Sequence, residues 1–183
     1  MVAAFWREQS GIRHITPQGK SNPEGPWLLS ALAPLWGLKV CEFGCGPGRI
    51  ASLFDRVGYV GVDICEAAVI EARKRNPGYR FEVTDETAKI GPVDVIVCHT
   101  VLMHVPDEEL AGVLARFDAD RVMVNEMLGR AWRRDGTPPV FNREWDDYVT
   151  AFAAAGFSPV SCETETYEHY GNPFALMTFQ RTT

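Results

Sequence analysis

The chain lacks a basic excess. Its 18 Lys and Arg residues face 24 Asp and Glu residues, for a net charge of −6. A protein that grips a nucleic-acid backbone usually carries a basic stripe, so the balance argues against DNA or RNA as the main partner. Long apolar runs are missing too. The longest stretch, residues 27–38, contains Ser30, Pro34 and Gly37 and is too short and broken to span a bilayer. Arg7, Glu8 and Gln9 interrupt any secretory apolar region after Met1. We expect no membrane and a cytoplasmic location. Paired-cysteine patterns are absent as well. The five cysteines, Cys41, Cys45, Cys65, Cys98 and Cys162, are odd in number and show no C-x-x-C or zinc spacing. Buried free thiols are the expectation. Gly19-Lys20-Ser21 is not a phosphate loop, because His14 stands where the earlier glycine is required. No internal repeat or low-complexity tract is visible.

With 183 residues, 46% of them hydrophobic, the chain can bury the core of one domain. Its organising stretch is Val40-Cys41-Glu42-Phe43-Gly44-Cys45-Gly46-Pro47-Gly48-Arg49-Ile50. An apolar run, residues 38–43, enters a glycine-rich turn. Ile50, Leu53, Phe54 and Val57 then recur at helical spacing, predicting strand, turn and a helix over 49–57. The glycines let the backbone approach a ligand, and a helix N-terminus there would offer unpaired N–H groups. A second strand over 59–63 ends in Asp63, which lies 19 residues after Gly44. An acid about 20 residues past a glycine turn is where a nucleotide ribose is usually held. A dinucleotide fingerprint would need glycine at position 49, which is Arg49, and the chain has no Tyr-x-x-x-Lys pair. Both points count against a nicotinamide oxidoreductase.

Further strands are expected over 79–83, 93–98, 121–125, 157–164 and 175–181. Helices are expected up to residue 35, over 66–75, from Pro106 and Asp107, and over 143–155, with a turn or two of helix within 86–92. Asn76-Pro77-Gly78 stops the 66–75 helix. Leu110, Val113, Leu114 and Phe117 make one apolar face, and Trp145, Tyr148, Val149 and Phe152 make another. Alternating strands and helices give a doubly wound α/β sheet, mainly parallel. The last two strands have no helix between them and should close it as an antiparallel hairpin.

Glu42-x-Gly44-x-Gly46-x-Gly48 followed by Asp63 resembles the class I S-adenosylmethionine-dependent methyltransferases. The resemblance covers roughly residues 26–179. It implies a seven-stranded sheet in which the last strand inserts between the fifth and sixth. It also implies S-adenosylmethionine as cofactor, held by Glu42, Gly44, Cys45, Gly46, Asp63 and Ile64. Asp85 or its neighbour would take the adenine amino group, and Cys98 and His99 would line the methyl group. Residues 1–25 would form a lid over the substrate, with 26–183 as the methyltransferase domain.

The run Val97-Cys98-His99-Thr100-Val101-Leu102-Met103-His104-Val105-Pro106-Asp107 resembles the small-molecule branch of that family. It carries neither the Asn-Pro-Pro-Tyr nor the Asp-Pro-Pro-Tyr of DNA amino-methylating enzymes. A quinone-type subgroup places two metal-binding glutamates before the histidine. Thr100 and Met103 stand there instead, so no metal is expected.

Methyl transfer needs a positioned acceptor and, for an oxygen nucleophile, sometimes a base. His104, His99 and Glu126 are the candidate catalytic residues. Two of them have a structural alternative: local backbone bonding for His104, packing for His99. His14, His169 and Tyr170 fall in lid segments, with a plain surface position as the alternative for each. Arg130, Arg133 and Arg134 sit in an irregular connection, 127–141, that also holds Gly136, Pro138 and Pro139. They would suit an anionic acceptor through bidentate contacts, or form a solvated loop. The expected activity is methyl transfer to oxygen, nitrogen or carbon of a small molecule. A cofactor-binding module without catalysis and a nucleic-acid methyltransferase remain as alternatives.

Overall fold

The computed structural model describes residues 2–7, 26–133, 139–166 and 173–182. His14, Arg134, Gly136, Pro138, His169 and Tyr170 lie outside them. Helix α1 is Val2–Arg7, α2 Pro26–Leu32, α3 Glu66–Arg75, α4 Asp107–Leu114 and α5 Trp145–Ala154. The strands are β1 Val40–Phe43, β2 Tyr59–Asp63, β3 Arg80–Val83, β4 Ile90–His99, β5 Phe117–Met127, β6 Phe157–Thr166 and β7 Pro173–Arg181. They form one seven-stranded sheet in the order β3-β2-β1-β4-β5-β7-β6. β1 pairs in parallel with β2 and β4, β2 with β3, and β4 with β5. β7 runs antiparallel between β5 and β6. The expected doubly wound sheet with a closing antiparallel hairpin is therefore what the chain forms.

Strand alternation builds two cores, one on each face. Cys41 and Phe43, Ile96 and Cys98, and Val122 and Val124 pack against Leu110, Leu114, Tyr148 and Phe152 of α4 and α5. Val40, Val95, Val97 and Met123 pack on the other face against Leu28, Leu32 and Leu35, and against Val69 and Ala72 of α3. A sheet buried on both faces explains why the central strands read as nearly continuous apolar runs. Phe152 stacks on Phe179 with ring centroids 3.9 Å apart, which seats α5 on the inserted strand.

Three expectations fail locally. The helix over 49–57 is only a single 3₁₀ turn, Ala51–Leu53. Asp55 Oδ1 accepts the Val57 N–H at 3.1 Å, and this side-chain turn stops the segment. Val57, counted in the helical period, is 91% exposed. No helix forms over 86–92, because Asp85 closes a tight turn and Ile90 already pairs with Phe117. Phe117 belongs to β5, not to the α4 face.

All five cysteines are free; four are buried and Cys162 is half-buried. Burial pushes the Cys41 thiol up to about 12 and raises Cys45, Cys65 and Cys98 as well. An aromatic disulfide reagent at neutral pH should therefore modify Cys162 first. The other four should react only as the protein unfolds. Rapid reaction of all five in the native protein would contradict this burial pattern.

Candidate active site

A cavity of about 810 Å³ opens where β1, β2, β3 and β4 end. Glu42, Gly44, Cys45, Gly46, Asp63 and Ile64 line one part of it; His99, Met103 and His104 line another. β2 leaves β1 to one side and β4 lies on the other, so this is the crevice where an open α/β sheet takes its ligand.

The turn after β1 is shaped by backbone bonds and by Asp63. Gly44 N and Cys45 N both donate to Val62 O, at 2.8 and 3.0 Å. Gly44 has φ +71°, and a Cβ there would come within 2.2 Å of Val101 Cγ2. Only glycine permits both the left-handed backbone and this close approach. Asp63 Oδ2 accepts the Gly46 N–H at 2.8 Å, and Oδ1 accepts the Cys65 N–H at 2.8 Å. The carboxylate thus ties the glycine turn to the start of α3. Each oxygen keeps a further lone pair for a ligand hydroxyl. Burial raises the Asp63 pKa, opposed by these backbone bonds. Glu42 is buried beneath the turn and accepts the Tyr59 hydroxyl at 2.5 Å. The turn does not feed an α-helix, so the expected helix N-terminal donors are absent. Its polarity toward the cavity comes from Asp63, Glu42 and the peptide groups of the turn itself.

His99 ends β4, is 4% exposed and lines the cavity. Thr100 then takes φ +53°, uncommon for a β-branched residue, and turns the chain sharply. Arg49 steadies this bend by donating to Thr100 Oγ1 at 2.9 Å. A 3₁₀ turn, Leu102–His104, follows. His104 Nδ1 lies 2.8 Å from Pro139 O. A carbonyl only accepts, so Nδ1 carries the proton, and in the neutral ring Nε2 keeps its lone pair. Trp6 packs against the His104 ring, with centroids 4.6 Å apart.

Three expected site residues lie elsewhere. Asp85 is exposed, and its Oδ1 accepts the Thr87 and Ala88 N–H groups and the Thr87 hydroxyl. These bonds, the Thr87 side chain's first, lower its pKa. Its neighbours Thr84 and Glu86 line the cavity instead. Cys98 points into the core, because strand alternation sends its side chain opposite to that of His99. Glu126 is 0% exposed and does not line the cavity. Its Oε1 accepts the Val101 and Leu102 N–H groups at 2.9 and 2.7 Å. Burial pushes its pKa up to about 8, against the pull of those backbone bonds and of Arg143. A sealed carboxyl that holds a loop cannot also meet an acceptor.

Two arginines of the 127–141 connection are held in ion pairs. Arg130 Nε donates to Asp147 at 2.9 Å, and Arg133 makes a two-pronged pair with Asp107 at 2.7 and 3.0 Å. Neither lines the cavity. Sequence reasoning passed over Trp6, Arg49 and Arg143. The aromatic pair Phe5-Trp6 in a polar terminal segment was a visible signal for Trp6. Nothing in the local pattern marks Arg143, which is buried at 2% exposure.

Comparison with known proteins agrees with this geometry. Residues 40–121 match the methyltransferase domain family. Magnesium protoporphyrin IX methyltransferase from Synechocystis, solved with bound S-adenosylhomocysteine, superposes with a TM-score of 0.76 at 21% identity, covering 99% of this chain and 98% of that one. The 1,6-didemethyltoxoflavin-N1-methyltransferase of Burkholderia thailandensis gives 0.72 at 20% identity, covering 99% and 89%. A ubiquinone biosynthesis O-methyltransferase from Acinetobacter baumannii is 31% identical over 119 residues, 58% of this chain. The match spans about half, 49%, of that relative's length. The fold is that of these solved S-adenosylmethionine-dependent methyltransferases. Among the described residues no helix is long and apolar enough to cross a membrane.

Proposed function

We propose that the protein is an S-adenosylmethionine-dependent methyltransferase acting on a small-molecule acceptor. The observation that carries this is the glycine turn held open by Asp63, with Glu42 beneath it, facing His104 across one cavity. The residues fit the cofactor. Gly44 and Gly46 present backbone without side chains, Asp63 has lone pairs for ribose hydroxyls, and Ile64 and Thr84 suit a purine. When bound, S-adenosylmethionine supplies an electrophilic methyl group. A cavity of this size falls in the range of small-ligand sites.

His104 is the base in this reading. Pro139 holds Nδ1–H, so Nε2 is the atom that takes the proton leaving an O–H or N–H acceptor. Trp6 fixes the ring plane and keeps water from that side. Trp6, Met103, Val105, Pro106, Val113 and Val140 give the acceptor an apolar wall. Glu108 and Glu109 stand at the same wall; the lining arginines Arg49 and Arg116 donate to Thr100 Oγ1 and to Ala88 O and Asp85 O, and Arg130 and Arg133 face their aspartates. A neutral acceptor suits this wall better than the anionic one the sequence suggested. Two curated relatives are named as a magnesium protoporphyrin IX methyltransferase and a ubiquinone biosynthesis O-methyltransferase, which favours a cyclic organic acceptor. The lid role of residues 1–25 is supported by α1, which brings Trp6 to the cavity and pairs Arg7 with Glu86; residues 8–25 lie outside the described residues. Free thiols suit a cytoplasmic place.

Calorimetry should show binding of S-adenosylhomocysteine and none of NAD. Methyl-labelled S-adenosylmethionine with a metabolite extract should then give a labelled small molecule, identified by mass spectrometry. Tight NAD binding without S-adenosylhomocysteine binding would sink the reading. Binding with no labelled product from any extract would favour a non-catalytic module.

A further inference from the structure

The loop from Val101 to Val105 carries both His104 and the valine that packs on the cofactor turn. Its backbone polar groups are tied down almost one by one. Glu126 Oε1 takes the N–H groups of Val101 and Leu102 at 2.9 and 2.7 Å. Arg143 donates to Leu102 O at 3.0 Å and to Val105 O at 2.6 Å. Phe141 N donates to Met103 O at 2.7 Å. Within the loop, His104 N bonds Val101 O and Val105 N bonds Leu102 O, each at 3.0 Å. Arg143 also reaches Asp107 at 2.7 Å, and so joins the loop to the start of α4.

The two side chains come from different places. Glu126 is near the end of β5, and Arg143 precedes α5. One is an acceptor and the other a donor, and they hold opposite ends of the peptide dipoles in one loop. Both are almost fully buried, which is costly for an acid and a guanidinium. A loop needing only to be compact could be held by apolar packing. Here the held groups are those that set the height and tilt of residues 103 and 104 over the cavity.

We propose that Glu126 and Arg143 are positioning residues for methyl transfer, clamping the Val101–Val105 loop so that His104 faces the acceptor. This rests on the methyltransferase reading. Neither residue touches the ligands; both act through His104. Lysine at 143 keeps the charge but has no fork to reach two carbonyls. Glutamine at 126 keeps an acceptor for both N–H groups, whereas alanine removes it.

The test uses the full chain and two probes, S-adenosylhomocysteine and the labelled product from the extract. Thermal unfolding first confirms that each variant is folded. Arg143→Lys should reduce label transfer at least tenfold while S-adenosylhomocysteine affinity stays within about threefold. The His104 Cε1–H resonance should move from its wild-type position. Glu126→Ala should behave alike, and Glu126→Gln should recover most of the loss at pH 7. An unmoved His104 resonance with unchanged transfer in Arg143→Lys overturns the clamp and leaves the methyltransferase reading intact. Should wild-type protein bind no S-adenosylhomocysteine, the underlying reading fails instead. The His104 resonance still reports on the loop in that case: an unmoved signal overturns the clamp, and a displaced one supports its structural half.

Discussion

Asp63→Ala should weaken S-adenosylhomocysteine binding by roughly 1.5–3 kcal/mol, about ten- to 150-fold, the scale of hydrogen bonds to a charged group. Two effects add. The ligand loses an acceptor for its hydroxyls. The glycine turn loses its tie as well, because Asp63 bonds both Gly46 N and Cys65 N. The second effect makes the substitution costly for the fold too. It leaves two buried N–H groups without their acceptor, on the order of 2 kcal/mol in total once burial of the carboxylate is relieved. Asp63→Asn is the informative companion. Its amide offers one acceptor oxygen, and its NH₂ must face an N–H, so the turn cannot keep both bonds. Calorimetry on both variants, with urea unfolding alongside, checks the result. Wild-type affinity in the alanine variant would remove Asp63 from the binding site.

How far the sequence reaches can be seen from neighbouring elements. β2 and α3 match their expected ranges residue for residue, because Gly58 and Asn76-Pro77-Gly78 bound them with local chemistry. β5 starts at Phe117, four residues ahead of expectation. Asp118, Asp120 and Arg121 are exposed there, and only the pairing of Phe117 and Ala119 with Ile90 and Val93 makes the segment a strand. That pairing is remote in sequence and leaves no local mark. The 49–57 segment fails in the opposite way. It has the helical period, but Asp55 captures the backbone.

The same division runs through the site. Glu42, Gly44, Gly46 and Asp63 line one cavity, and a strand, a turn and a second strand bring them there by short-range spacing that the sequence displays. Asp85, Cys98 and Glu126 do not line it, although each lies at or near the end of a strand. At such a position the side chain can face the cavity, the core or its own turn. One residue of register decides between the first two, as Cys98 and His99 show. Arg143 and Trp6 join the site from about 40 and 100 residues away from His104. Tertiary contact alone reveals them.

Glu126→Gln should make the protein more stable than wild type near neutral pH, with an advantage that grows as pH rises. Burial holds the Glu126 pKa at about 8, above its ordinary value of 4.5. Below about pH 4.5 the acid is neutral in both folded and unfolded chains, and there is no pH-dependent cost. Between 4.5 and 8 the unfolded chain releases the proton and the folded chain keeps it. Stability then falls by about 1.4 kcal/mol per pH unit, on the order of 3 kcal/mol by pH 7. Above 8 both forms are ionised and the loss levels off. Glutamine never ionises, so that loss disappears, while its oxygen still accepts from Val101 and Leu102. Two amide hydrogens then occupy the place of Oε2, which has no hydrogen-bond partner among the described residues. This offsets part of the gain and is independent of pH. The neighbouring Cys98 and Tyr148 are raised by burial and stay neutral in this window. Asp63 is also raised, so the variant keeps some slope of the same sign. Urea unfolding of both proteins at pH 5, 6, 7 and 8 gives the difference directly. The stability gap should widen from pH 5 to pH 8. A gap that stays constant over this range would mean that Glu126 is ionised in the folded protein, with Arg143 and water holding its charge.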